Sequence, residues 1–265
     1  MRRIAVNKRF LAQRVARSRP LYEQAATIQR EMAARLIAML RDVAGTDSFE
    51  NVLELGCGTG LATRQLLANC RMRRLVLNDL VPEYAQTAQD AQQQSPGLAV
   101  EFLPGDMEVI TLPEGLDLIV SNAVVQWAED LPALLHRLAQ ALRPGGILAL
   151  ATFGPSNLRE VSRLTGFALP YRSRVAWRAW LADGWDVLCV KEETRTLKFA
   201  CACDVLRHLR QTGVNALQSQ PWTRARILDF FRKYEATFEK NGRVPLTYHP
   251  LFLIAQKRPV GENSR

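Results

Sequence analysis

No uninterrupted apolar run in this chain approaches the roughly 18 to 20 residues that a membrane span requires. Arg, Asp, Gln or Pro breaks every candidate, so no spanning helix is expected. Cysteine is sparse: five residues, an odd number, lacking both the paired spacing of a zinc site and the density of a secreted disulfide scaffold. That usage fits a reducing, cytoplasmic compartment. Cys201-Ala202-Cys203 is the one close pair, and with His208 nearby a metal site is conceivable. The simpler expectation is two small buried residues opening a helix, with no metal. Acid is absent from the first 22 residues, an arginine-rich stretch whose composition also suits an organellar transit peptide.

What is present is ordinary globular material. The chain has 265 residues, 48% hydrophobic and 23% charged, enough for one large domain with an elaboration or for two small ones. A formal charge of +9 favours an acidic partner: nucleic acid, an anionic membrane surface or an acidic protein.

Periodicity supplies the architecture. Apolar positions recur at helical spacing over 22–43 and Gly45 follows, predicting a helix with a glycine stop. Short apolar runs at 51–55, 74–78, 98–103, 116–121 and 147–152 read as strands. Helices are expected to about residue 70, from Pro82, and over 131–142, the last broken by Arg143-Pro144-Gly145-Gly146. Strand and helix alternate at βαβ spacing, and strands apolar on both faces require a covered parallel sheet. Beyond Gly154-Pro155, helices are expected over 156–166, 175–182, 203–211 and 223–240, strands over 185–190 and 194–199, and one last strand over 246–255. Residues 261–265 read as a disordered tail.

The stretch Glu54-Leu55-Gly56-Cys57-Gly58-Thr59-Gly60 ends the first strand with three glycines, which let backbone approach a ligand beyond the carboxyl ends of the strands. G-x-G-x-G lacks the third glycine position of the dinucleotide fingerprint, and no Gly-Lys-Ser/Thr follows to grip a triphosphate. Together with Asp79 ending the second strand and Asp106 following the third, the turn resembles the S-adenosylmethionine site of class I methyltransferases. The resemblance implies a Rossmann-like α/β fold, a mostly parallel seven-stranded sheet with helices on both faces and a helical insertion after strand five. It implies Glu54 at the ammonium region, Asp79 on the ribose hydroxyls and Asp106 with Met107 at the adenine. Gly56, Cys57, Gly58, Gly60, Leu80 and Asn122 complete the cofactor set, and S-adenosylhomocysteine would be the product.

The segment Ser121-Asn122-Ala123-Val124-Val125-Gln126-Trp127 resembles the S-N-A/L-x-x-Q-W stretch of the BioC family, malonyl-[acyl carrier protein] O-methyltransferases of biotin synthesis. Val6-Asn7-Lys8 with Phe10, Tyr22-Glu23-Gln24-Ala25-Ala26 with Gln29, Thr152-Phe153-Gly154, Thr212-Gly213-Val214-Asn215 and Thr247-Tyr248-His249 match the same family in order. Family members begin their Asn-Lys motif almost at the initiator methionine, which argues against a removed transit peptide.

The resemblance implies methylation of the free carboxylate of malonyl on acyl carrier protein, an acidic partner. It places Tyr22, Gln126 and Trp127 in the catalytic set, and Tyr22, Tyr171, Arg172 and Arg210 on the acceptor. Pro170-Tyr171 stands where the family's Arg-Phe is usual, so Arg172 takes over that role or the acyl contact differs. An ionised carboxylate needs no general base, so His136 and His208 are expected at the surface. The expected organisation is an N-terminal helical cap over 1–45, a cofactor-binding core over 46–153, a substrate-side insertion over 154–243 and a returning strand over 244–260, in a cytoplasmic monomer. Another small carboxylate or carbon acid as acceptor, or a role as a respiratory-complex assembly factor, are the alternatives. A nucleic-acid methyltransferase is disfavoured, because no Asn-Pro-Pro-Tyr/Phe motif follows strand four.

Overall fold

The computed structural model describes residues 2–3, 8–213 and 222–259. Val6-Asn7, Val214-Asn215 and the 261–265 tail lie outside the described residues. The chain forms two compact units, one of residues 29–152, 173–192 and 251–265, the other of 1–28, 153–172 and 193–250.

The first unit holds a seven-stranded sheet. Its strands are β1 (Ser48–Leu55), β2 (Arg71–Asp79), β3 (Ala99–Pro104), β4 (Leu116–Asn122), β5 (Leu142–Phe153), β6 (Trp185–Glu192) and β7 (Pro250–Lys257), in the order β3-β2-β1-β4-β5-β7-β6. β1 pairs parallel with β2 and β4, β2 with β3, and β4 with β5, whereas β7 runs antiparallel to β6. The order reverses between β1 and β4, and ligands of open α/β sheets bind at such a switch point. Val52, Leu53 and Leu55 of β1 are fully buried, and the helix Leu131–Ala141 turns Leu131, Leu134, Leu135 and Leu138 onto the same core. At about 25 cal/mol per Å² of apolar surface, this burial is the main force holding the sheet unit together.

The Arg143-Pro144-Gly145-Gly146 break expected after that helix is part of β5. A Cβ on Gly146 would stand 2.9 Å from the carbonyls of Arg143 and Leu116, so glycine keeps the backbones close enough to pair. Arg143 also binds buried Asp117 at 2.5 Å, and the other oxygen of Asp117 accepts the Asn51 N–H at 2.7 Å. The arginine of this motif is a fold latch.

The second unit contains the helices Lys8–Ala25, Arg159–Thr165, Ala202–Gln211 and Arg224–Phe238, and an antiparallel pair, Arg195–Phe199 with Val244–Tyr248. Three expectations need correction. The helix expected over 22–43 is two, Lys8–Ala25 and Thr27–Ala44, interrupted at the fully buried Ala26. The single strand expected over 246–255 is also two, because Pro250 cannot donate to a ladder and His249 gives its N–H to Asn157 Oδ1. Finally, Cys201 and Cys203, expected as two small buried residues opening a helix, do stand at the start of the helix Ala202–Gln211 but are only half-buried and are joined as a disulfide. Among the described residues no helix is long and apolar enough to cross a membrane.

Candidate active site

The glycine turn links β1 to the helix Leu61–Asn69. Gly56 sits at φ +69°, and a Cβ there would stand 2.4 Å from a Val124 methyl, so both conformation and packing demand glycine. Gly58 is also left-handed, at φ +49°, but a Cβ there would enter open space. Its carbonyl accepts from the Thr87 hydroxyl at 2.7 Å, and its N–H donates to Asp79 Oδ2 at 2.9 Å. Cys57 donates its N–H to Asn78 O, and burial pushes its thiol far above the usual range, leaving it an inert small hydrophobe. Gly60 is the N-cap and offers no side chain to the first helical N–H groups.

Glu54 tethers the first turn from the strand instead. Its Oε2 accepts at 2.7 Å from the hydroxyl of Thr63, in the first turn of that helix. The group is 1% exposed, and burial raises its pKa to about 8. Asp79 Oδ1 accepts from the Val81 N–H at 2.9 Å. Burial raises Asp79 to about 6. With one strong hydrogen bond on each oxygen, lone pairs remain for further donors. After β3, Asp106 Oδ1 accepts the Glu108 N–H at 3.0 Å, and Met107 is buried with its carbonyl held by Arg137.

After β4, Ala123 adopts φ +58°, a strained conformation for a residue with a Cβ. Its N–H is fixed by Ala151 O at 2.7 Å, and its carbonyl accepts Gln126 Nε2 at 2.6 Å. Gln126 Oε1 in turn accepts the Thr152 hydroxyl at 3.1 Å, so this side chain is locked at both ends. The half-buried Trp127 closes a single helical turn by donating its N–H to Val124 O. Asn122 Nδ2 donates to the backbone carbonyl of Gln29 at 3.0 Å.

The four acceptor-side candidates, Tyr22, Tyr171, Arg172 and Arg210, all belong to the second unit. Tyr22 and Tyr171 lie close enough to Tyr248 for their charges to be felt there, and Phe153 packs against Tyr171 and Tyr248 at centroid distances of 6.3 and 5.9 Å. Burial pushes the Tyr171 hydroxyl up to about 12, an effect that Asn157 opposes. Burial lowers the pKa of Arg14, and repulsion from Arg17 and Arg210 lowers it further. Arg210 is thus one of several cations facing the same region.

His208 departs from expectation. It is buried, not superficial, with Nε2 2.8 Å from the Tyr248 hydroxyl, and desolvation lowers its pKa to about 4. Thr247-Tyr248-His249 is a set of clamps: Thr247 donates its N–H and hydroxyl to buried Glu160, Tyr248 holds His208, and His249 Nδ1 accepts the Ser156 N–H. His136 is exposed, as expected.

Among the described residues, the buried side-chain atoms that lack a hydrogen-bond partner include Gln29 Oε1, Thr59 Oγ1 and Asn122 Oδ1. They come from the helix Thr27–Ala44, the glycine turn and the end of β4. Leaving three such groups unsatisfied inside a protein is costly. The set, with the lone pairs of Asp79 and the open approach at Gly58, fits a ligand carrying an ammonium and hydroxyls. Sequence reasoning gave Gln29 a place in a pattern but no role, and it missed Thr59, Thr63 and Thr87.

A family model described as a methyltransferase domain matches residues 53–150. The malonyl-[acyl-carrier protein] O-methyltransferase of Chlorobium luteolum is 37% identical over 96% of this chain and 97% of its own length. The protein of the same name from Bacteroides fragilis is 38% identical over 96% of this chain, which spans 51% of that longer relative. A candidate methyltransferase of Bacillus halodurans superposes with a TM-score of 0.60 at 17% identity, covering 84% of this chain and 99% of that one, a likeness of fold. The sheet order, the glycine turn at its switch point and the near full-length likeness converge: the chain belongs to the malonyl-[acyl-carrier protein] O-methyltransferase family.

Proposed function

We propose that this protein methylates the free carboxylate of malonyl carried on acyl carrier protein, using S-adenosylmethionine and releasing S-adenosylhomocysteine. This would be the entry step of pimeloyl synthesis for biotin, carried out by a cytoplasmic monomer. The observation that carries the reading is the near full-length likeness to enzymes of that name. The cofactor, when bound, supplies an electrophilic methyl on a sulfonium. Glu54, through its hold on the helix Leu61–Asn69, shapes the glycine turn that would receive it. Asp79 offers lone pairs to the ribose hydroxyls, and Asp106 and Met107 stand at the adenine end. Gln126, locked by Ala123 and Thr152, fixes the segment beside the methyl, with Trp127 keeping water away.

The chemistry demands alignment more than acid–base help. A carboxylate with a reference pKa near 4 is already a nucleophile at neutral pH, so one C–O bond forms as one C–S bond breaks and no proton moves. The three histidines suit that economy: one is exposed and two are committed to structural hydrogen bonds. Tyr22, Tyr171, Arg172 and Arg210 are assigned to the acceptor, where a cluster of repelling arginines favours an anion. The net charge of +9 suits an acidic carrier protein. Methylation removes a charge that would be costly to bury in the apolar pockets of a chain-elongating synthase.

The test is transfer of label from radioactive S-adenosylmethionine to malonyl-, acetyl- and succinyl-acyl carrier protein, counted as a base-labile ester. Label on malonyl carrier alone is expected. Label on free small acids, or no transfer despite donor binding, overturns the acceptor assignment.

A further inference from the structure

We infer that Gln29, together with Asn122, binds the ammonium group of the cofactor's amino acid arm, the place first assigned to Glu54. This rests on the cofactor named above. Glu54 is committed to the helix Leu61–Asn69, its Oε2 accepting the Thr63 hydroxyl at 2.7 Å. A raised pKa accompanies that burial, so the group is a poor anionic partner for a ligand at neutral pH.

Gln29 and Asn122 have the complementary chemistry. The Asn122 amide spends a donor on Gln29 O at 3.0 Å, which fixes its orientation and leaves Oδ1 as a bare acceptor. Gln29 is only 4% exposed, and its Oε1 is a second bare acceptor on the residue that Asn122 already touches. An ammonium carries three donors and no acceptor, so it satisfies both oxygens, whereas a carboxylate would be repelled by them. The Thr59 hydroxyl of the glycine turn, buried and unpartnered, can donate and is left for the carboxylate end of the same arm.

The experiment is calorimetric binding to the intact protein of S-adenosylhomocysteine and of its analogue lacking the amino group, S-adenosyl-4-thiobutyrate. Gln29→Met, close in shape, is expected to weaken S-adenosylhomocysteine about 10- to 100-fold, the worth of a hydrogen bond to a charged group. The deaminated analogue should change by no more than about twofold, the scatter of near-neutral substitutions. Equal loss for both ligands, or for neither, overturns the inference. Failure of the unaltered protein to bind S-adenosylhomocysteine would instead overturn the proposed function. Should Gln29→Met not fold, Gln29→Glu decides: a preserved or widened preference for the ligand with the amino group supports the assignment, and a narrowed one overturns it.

Discussion

Glu54 on β1 and Thr63 on the following helix are joined by a 2.7 Å hydrogen bond, which ties a buried carboxyl to the first turn of a helix whose own N-cap is a glycine. Burial raises the carboxyl from 4.5 to about 8, so across that interval the folded protein holds a proton that the unfolded chain has released. The contribution to stability is complete below about pH 4.5 and is lost as pH climbs through about 8. Glu54→Gln should flatten this slope. Thermal melts from pH 4 to 9 are expected to show little difference at the acid end and a variant more stable by roughly 1–3 kcal/mol at the alkaline end. A variant less stable across the whole range would show that the ionised carboxylate is what the helix needs.

In the second unit the slope has the opposite sign. His208, lowered to about 4 by desolvation, stays neutral in the fold while the unfolded chain protonates near 6.5. Stability from this site is present above about pH 6.5 and is lost as pH falls toward 4. Tyr248→Phe leaves the buried imidazole nitrogen without its partner and should cost roughly 1–3 kcal/mol at neutral pH, measured by urea unfolding. His208→Phe should reduce the loss of stability between pH 6.5 and 4, and an unchanged acid limb would refute its source.

Much of the sheet was legible because its cause is local. Val52, Leu53 and Leu55 are apolar on both faces, which only a covered strand tolerates, and Pro82 opens a helical turn where its missing N–H costs nothing. What escaped has causes distant in sequence. His208 looks like a surface residue until Tyr248, forty positions later, arrives to bury and bond it. Asn122 lies 93 positions from the Gln29 carbonyl it holds, so no spacing rule could join them. The run 246–255 is apolar throughout, and only the two different partner strands show that Pro250 divides it.

Gly56 tests how rigidly the turn is held. Gly56→Ala places a methyl 2.4 Å from Val124 at φ +69°, combining a clash with left-handed strain, and should destabilise by roughly 2–4 kcal/mol. Adding Val124→Ala removes the clash but not the strain, so the double variant should recover only part of the loss. Full recovery in urea melts would assign the whole cost to packing.

With Asp79 on the ribose hydroxyls, as proposed, binding of S-adenosylmethionine is expected to depend on pH. The carboxyl's pKa of about 6 means that protonation removes an acceptor from the ribose as pH falls. KM for S-adenosylmethionine should therefore rise below about pH 6 while kcat, which needs no general base, stays level from pH 6 to 8. Asp79→Asn should raise that KM about tenfold or more at pH 7.5 and abolish its pH dependence. A kcat that falls with KM would point to a proton transfer that the proposed chemistry does not contain.

Arg210, proposed to meet the acceptor, allows the two binding steps to be told apart. It lies near Arg14, whose guanidinium already feels its repulsion, and an incoming anion relieves that repulsion. Arg210→Ala should raise KM for malonyl-acyl carrier protein about threefold to tenfold, leaving the affinity for S-adenosylhomocysteine unchanged. Because an exposed guanidinium acts partly through a field that salt screens, the unaltered protein's KM should climb more steeply with ionic strength than the variant's. Parallel salt curves with an equal loss of cofactor affinity would mean that Arg210 supports the fold and does not meet the acceptor.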